Sequence, residues 1–234
     1  TGCGTYFKTI ILMIVIFGFE AGALILSSSG SHDTFFSHEA LISARLQGQR
    51  AAYSRFLDNQ YDGLTGWRNP RSISPEASDC KGNPKTYSYD SLDARRGGRA
   101  EENPKIVSII AVGDSFTHRD EANNDETFPA QLGRLTDAGV ANHGVGGFGP
   151  LQAVLRFEQL APAYPNVRIA VLGIMYENIR RLVNSYFPVY YKEINNAFLF
   201  KPHMALREGA SHYVANANGP KPLPFDSLEG LSRK

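Results

Sequence analysis

Three short stretches carry the residue types that acyl-transfer chemistry needs. Gly113-Asp114-Ser115 puts a serine hydroxyl on a tight turn. Asn142-His143-Gly144-Val145-Gly146-Gly147-Phe148-Gly149 is a glycine-rich run, and Gly173-Ile174-Met175-Tyr176-Glu177-Asn178 ends on a carboxylate and an amide. A serine on such a turn has its hydroxyl presented outward near backbone N–H groups, which can stabilise the oxyanion of an acyl-transfer transition state. Glycines add N–H groups with no Cβ to block an approaching acyl oxygen. The bland alternative for Gly113-Asp114-Ser115 is a turn in which Asp114 and Ser115 satisfy backbone donors.

The elements between these stretches place all three together. Lys105 to Val112 (KIVSIIAV) is a short β-branched run ended by Gly113, the pattern of a strand buried on both faces. Thr127-Phe128-Pro129 opens a helix to about Asp137, with Thr as cap and Pro in the first turn. Gly139-Val140-Ala141-Asn142 reads as a second strand, Pro150 to Leu160 as a second helix and Val167 to Leu172 as a third strand. Strands alternating with helices of ten or so residues indicate βαβ units and a parallel sheet. Functional groups of such sheets gather beyond the carboxyl ends of the strands, and each of the three stretches follows a strand directly. Upstream, a helix is expected over Ser37 to Leu57, weakened at Gly48. Asp58 to Glu102 reads as irregular structure with short strands such as Thr86-Tyr87-Ser88-Tyr89.

The Gly-Asp-Ser-Phe-Thr and Asn-x-Gly-Val-Gly-Gly-Phe-Gly turns resemble the first two blocks of the SGNH (GDSL-type) hydrolase superfamily. Asp125-Glu126-Thr127-Phe128-Pro129-Ala130-Gln131-Leu132 is similar to its first helix. Tyr61-Asp62, Leu64-Thr65-Gly66-Trp67 and Tyr87-Ser88-Tyr89-Asp90 resemble the leading segment of an extracytoplasmic branch. The resemblance spans about Tyr61 to Val183. It implies an α/β fold: a three-layer α/β/α, flavodoxin-like arrangement with a parallel sheet, incomplete in this chain and preceded by an N-terminal hydrophobic helix. It also implies Ser115 as nucleophile and first oxyanion donor, and Gly147 as second donor. The third-block donor is an Asn side chain, but the residues here run Tyr176-Glu177-Asn178-Ile179 where Asn-Asp is usual. Asn178 is the preferred donor, by a shift of one residue. If Glu177 stood there instead, its carboxylate would repel the oxyanion. Asp114, Asn142 and Glu177 are the expected substrate-side residues. No cofactor and no metal is implied.

A serine hydroxyl needs a neighbouring base to become a good nucleophile. The family supplies it from an Asp-x-x-His block, and that pattern does not occur in these 234 residues. His118 lies three residues from Ser115 at a position the family does not use, and His143 lies within the second block. His203 and His212 fall in a polar, Pro- and Gly-containing tail. Only three parallel strands are visible where the fold needs about five. Beyond Asn184 the chain turns to Tyr186, Phe187, Tyr190, Tyr191, Phe198 and Phe200, either an aromatic lid or ordinary core. The expectation is that the remaining strands, with the Asp and His, belong to sequence beyond Lys234.

Charge and composition narrow the partners. Lys and Arg number 24 against 23 Asp and Glu, a net charge of +1, so nucleic acid is not an expected partner. Arg95, Arg96 and Arg99 read as a solvated loop, with a phosphate or anionic-glycan contact as the minority reading. Cys3 and Cys80 show no metal-ligand or redox spacing. Lys8 followed by the apolar run Ile10 to Phe19 fits a secretory signal, and Ala21-Gly22-Ala23 offers a cleavage site. Leu24-Ile25-Leu26 would extend it into a membrane span, against which Glu20 counts by about 2.5–3.5 kcal/mol. Either export reading puts the protein outside the cytoplasm, secreted, periplasmic or anchored; the alternative is a buried core helix near the N-terminus. Ser27-Ser28-Ser29-Gly30-Ser31 reads as a flexible linker, and the chain divides into 1–30 (signal or anchor and linker), 31–102 (helix and lead-in) and 103–234 (partial hydrolase-like domain). The expected activity is serine-dependent hydrolysis of esters, on acylated carbohydrate or small molecules. The alternatives are transfer of the acyl group to exopolysaccharide, or carbohydrate binding without catalysis.

Overall fold

A computed structural model describes residues 46–72, 74, 76–78, 81–97, 103–190, 197–228 and 231, all within one unit spanning Arg45–Lys234. The apolar run 10–19, the linker, both cysteines, Arg99 and Tyr191 lie outside them. Among the described residues no helix is long and apolar enough to cross a membrane.

The described chain begins with the helical residue Leu46, a turn at Gln47-Gly48 and helix α1, Arg50–Asn59. Gly48 takes φ +73°, a left-handed value that interrupts a helix. Of the helix expected from Ser37 to Leu57, Leu46 is helical, a turn interrupts it at Gln47-Gly48, and the helix beyond runs on to Asn59. The lead-in folds as two small antiparallel pairs: β1 (Tyr61–Asp62) with β2 (Gly66–Trp67), and β3 (Glu76–Ser78) with β4 (Pro84–Thr86). Of the strand expected at Thr86 to Tyr89, only Thr86 lies in β4, while Tyr89 forms a single bridge to Arg95.

Strand β5, Val107–Gly113, is the hydrophobic centre. Val107, Ile110, Ala111 and Val112 are almost wholly buried, and each such Val or Ile side chain contributes about 1.5–3 kcal/mol. Helix α2 (Ser115–His118) follows at once, then α3 (Phe128–Thr136). The expected cap forms, Thr127 Oγ1 accepting from the Ala130 N–H at 3.3 Å. Asp137, in the left-handed region at φ 54°, ends the helix. Strand β6 (Gly139–Gly144) is entirely buried, α4 covers Pro150–Leu160 as the sequence predicts, and β7 is Ile169–Leu172.

The three strands form one parallel sheet in the order β6-β5-β7, flanked by helices. The first strand is central, so successive crossovers leave it in opposite directions. That reversal opens a crevice at the carboxyl ends of the strands. Strand β7 is the sheet's apolar edge: Ile169 is 53 % and Leu172 40 % exposed.

The polar, Pro- and Gly-containing C-terminal part folds as well. His203 and His212 sit on an antiparallel hairpin of β8 (His203–Arg207) and β9 (Ala210–Val214), turned through Glu208-Gly209 at φ 52° and 79°. Tyr186, Phe187, Phe198 and Phe200 are all buried. Phe198 packs on Tyr53 and Phe56 of α1, with ring centroids 5.2 and 4.8 Å apart. Of the two sequence readings, these aromatics are core and not a lid.

Candidate active site at the carboxyl edge of the sheet

Strands β5 and β6 end on a glycine and Gly173 directly follows β7, and α2 lies across all three ends. Gly113 pairs in register with Gly144, and the Gly173 N–H donates to Val112 O at 2.8 Å. A Cβ on Gly113 or Gly173 would come within 2.2 Å of Thr117 Oγ1, and one on Gly144 within 2.2 Å of the His118 nitrogen. Larger residues at these positions would lift α2, and with it Ser115, off the sheet.

Both ends of α2 are held by buried side chains. At its start Asp114 Oδ1 accepts from the Phe116 N–H at 2.9 Å, while Oδ2 accepts from Asn178 Nδ2. At its finish Arg95 donates to the carbonyls of His118 (2.7 Å), Arg119 (2.6 Å) and Ala122. Arg95 is 2 % exposed and stacks 4.2 Å over Tyr87. This corrects the solvated-loop reading of Arg95: its donors are used on backbone carbonyls, and Arg96 is half-buried beside it.

The glycine-rich turn after β6 is pinned by its carbonyls. Gly144 O accepts from Asn69 Nδ2, Gly146 O from Trp67 Nε1 and Phe148 O from Arg181 Nη1, each at 2.9 Å. Most of its N–H groups are also satisfied. Gly144 donates to Asn142 Oδ1, Val145 to Gly113 O, Phe148 to Val145 O and Gly149 to Gln152 Oε1. Gly146 and Gly147 are the exceptions, for their N–H groups have no acceptor among the described residues. The same holds for the Ser115 N–H. Gly147 has φ +80°, and a Cβ there would meet Phe187 Cζ at 2.6 Å.

The sequence-predicted residues separate into two groups. Ser115 is half-exposed, forms no side-chain hydrogen bond among the described residues, and borders a cavity of about 230 Å³ with Phe116, Arg119, Asp120 and Glu121. Gly147 is partly open beside Phe187, and Glu177 is exposed. Asp114, Asn142 and Asn178 are buried. Asn142 spends its amide on Thr117 O (3.1 Å) and the Gly144 N–H (3.0 Å), so in this structure it braces α2 and the turn instead of facing a ligand. Asn178 reaches Asp114, the residue before Ser115, and its Oδ1 is buried without a partner among the described residues.

No described histidine is turned to Ser115. Burial pushes the Tyr89 phenol up, and its Oη lies 2.8 Å from His118 Nε2, while His118 Nδ1 lies 2.5 Å from Asp120 Oδ1. His143 is wholly buried, with Nε2 2.7 Å from Tyr164 Oη and Nδ1 3.5 Å from Asp93. Burial pushes the imidazole down and keeps it neutral. Burial raises the Asp93 carboxyl, but the His143 contact and the Arg156 charge outweigh it and hold it below the usual range.

Sequence reasoning missed the supports: Trp67, Asn69, Arg95, Arg181 and Lys201. Lys201 Nζ donates to the carbonyls of Arg181 and Asn184, fixing the segment that carries Asn178; burial, then the nearby Arg181, brings its ammonium down to about 7. The available signal was an Arg, a Lys and a lone Trp amid apolar or aromatic neighbours. Among the described residues no three His, Cys, Asp or Glu side chains are grouped to hold a metal. No family model and no curated protein matches the chain.

Proposed function

We propose that this chain performs serine-dependent acyl chemistry at Ser115, hydrolysing an ester through an acyl-enzyme, within an SGNH-type (GDSL-type) hydrolase fold. The observation that carries the reading is the set of free donors. Among the described residues the Ser115, Gly146 and Gly147 N–H groups on these two turns have no acceptor, and the serine hydroxyl is half-exposed. Preorganised donors of this kind are the largest single contribution in many acyl-transfer sites. The strand order β6-β5-β7 agrees with a flavodoxin-like, three-layer arrangement, whose switch point lies at this edge.

In this reading Ser115 Oγ attacks the ester carbonyl and its proton passes to a base. The Ser115 and Gly147 N–H groups hold the oxyanion, with the second Nδ2 hydrogen of Asn178 as a third donor. The tetrahedral intermediate collapses to the Ser115 ester and releases the alcohol. Water then attacks that ester, freeing the carboxylic acid and restoring the hydroxyl. The ester belongs to an acylated carbohydrate or a small molecule, and the N-terminal apolar run sends the protein outside the cytoplasm. Delivery of the acyl group to a sugar hydroxyl in place of water uses the same intermediate.

One observation favours a second reading, an SGNH-type fold that binds carbohydrate without catalysis: no described side chain accepts a proton from Ser115. Turnover of p-nitrophenyl acetate by the full-length protein and by Ser115→Ala separates the two. The acyl-enzyme reading expects a loss of about 10³-fold or more in Ser115→Ala. Equal rates would sink the nucleophile assignment and leave the binding reading.

A further inference from the structure

We infer that Trp67 is a positioning residue for the Gly147 oxyanion donor, acting through one hydrogen bond from its indole N–H. This rests on the Ser115 reading above. The bond runs from Trp67 Nε1 to Gly146 O at 2.9 Å, across 79 residues of sequence. Gly146 O belongs to the same peptide unit as the Gly147 N–H. In a trans peptide the carbonyl and the N–H point in opposite directions, so a carbonyl anchored toward Trp67 sends the Gly147 N–H away from it.

This peptide needs an anchor more than its neighbours do. The Gly144–Val145 peptide is held at both ends, its carbonyl by Asn69 and its N–H by Gly113 O. The Phe148–Gly149 peptide is likewise held by Arg181 and Gln152. The Gly146–Gly147 peptide is held at its carbonyl alone, because its N–H is the free donor. It also joins two glycines, the pair that rotates most easily about φ and ψ. A flip of this plane would replace the donor by a carbonyl oxygen, which repels an oxyanion.

Trp67 is itself well fixed for the task. Its ring lies 5.3 Å from Phe187 and 5.7 Å from Phe148, and its carbonyl accepts from Thr65 Oγ1 at 2.9 Å. Phe187 fills the space where a Gly147 Cβ would stand, closing the other direction of movement. The lead-in segment thus reaches the glycine turn from outside the parallel sheet and sets which way one amide faces.

The test replaces Trp67 by β-(3-benzothienyl)alanine, which keeps the bicyclic shape but puts sulfur in place of the indole N–H. Trp67→Phe and Ser115→Ala serve alongside it, in the full-length protein with p-nitrophenyl acetate. The expected result is a kcat about tenfold to hundredfold lower, with KM and melting temperature little changed, since the donor matters in the transition state. In glycine-¹⁵N-labelled protein the Gly147 amide resonance should move while those of Gly144 and Gly149 stay. An unchanged kcat beside an inactive Ser115→Ala would overturn the inference while leaving the nucleophile in place. If wild type and Ser115→Ala turn over equally, the Ser115 reading fails and the amide spectrum alone decides. A displaced Gly147 resonance then supports the anchoring, and an unmoved one overturns it.

Discussion

Gly147 is constrained twice over. Its φ of +80° lies where an L side chain costs about 1–2 kcal/mol, and the Cβ direction is filled by the Phe187 ring at 2.6 Å. Gly146, one residue earlier, has open space, with only Asp120 Oδ2 at 3.8 Å. The two neighbours therefore make an internal comparison. Gly147→Ala is expected to destabilise the protein by about 1–3 kcal/mol, through backbone strain and displacement of Phe187. On the proposed acyl-enzyme reading, p-nitrophenyl acetate turnover should fall by about 10²-fold as the N–H leaves its place. Gly146→Ala is expected to cost much less on both counts. Urea unfolding and p-nitrophenyl acetate kinetics on the pair would check this, and equal effects at the two positions would contradict it.

At the scale of elements, α2 is too short to stand alone: a single turn closes few hydrogen bonds for the entropy it spends. It persists because Asp114 caps its start, Arg95 gathers the carbonyls at its finish, and three strand-end glycines let it seat. Arg95→Ala would take the side-chain donor from the His118 and Ala122 carbonyls, while Arg119 O keeps the Ala122 N–H, at about 1–3 kcal/mol for each group not re-solvated. The expected outcome is a lower urea midpoint and, on the proposed Ser115 reading, slower p-nitrophenyl acetate turnover because Ser115 rides on this turn. Arg95→Lys should recover part of the stability, since an ammonium has three donors but not the planar fork. The elements that depend on local pattern were legible beforehand: α4 begins and ends at Pro150 and Leu160, and Thr127 caps α3. What supports the site was not legible. The Arg95 side chain reaches residues 23 to 27 positions away, and Trp67 reaches across 79. Periodicity and capping rules see only a few residues in either direction, so a buried Arg in a glycine-rich stretch looks like a solvated one. The convergence of the three turns could be read because it follows from strand order, whereas the pinning of the turns follows from packing.

At the scale of the whole unit, the lead-in and the parallel sheet are joined by a buried ionic knot. Asp93 from the lead-in meets Arg156 of α4 and His143 of β6, with Arg71 at 3.5 Å and Arg68 at 4.0 Å. Arg156 also lies 3.8 Å from Asp62. Parallel sheets are ordinarily covered on both faces, and here β6 is buried while β7 leaves Ile169 and Leu172 in solvent. The knot therefore stands on the better-protected side of the sheet, where desolvation makes an unpaired charge costly. Removing Asp93 would leave the wholly buried Arg156 with only Gln159 and the more distant Asp62 carboxylate, so Asp93→Ala is expected to lose up to about 3–5 kcal/mol. Arg156→Met added to Asp93→Ala should restore part of this, a non-additive pair. The same carboxylate gives a pH signature. Its folded value lies below the unfolded 3.8, so its contribution is complete above that value and drains away as pH falls through the lower, folded one. Urea midpoints measured from pH 5 down to pH 2 should fall more steeply for wild type than for Asp93→Asn, which cannot titrate there. Parallel curves for the two proteins would mean that Asp93 carries no net stabilising charge in the fold.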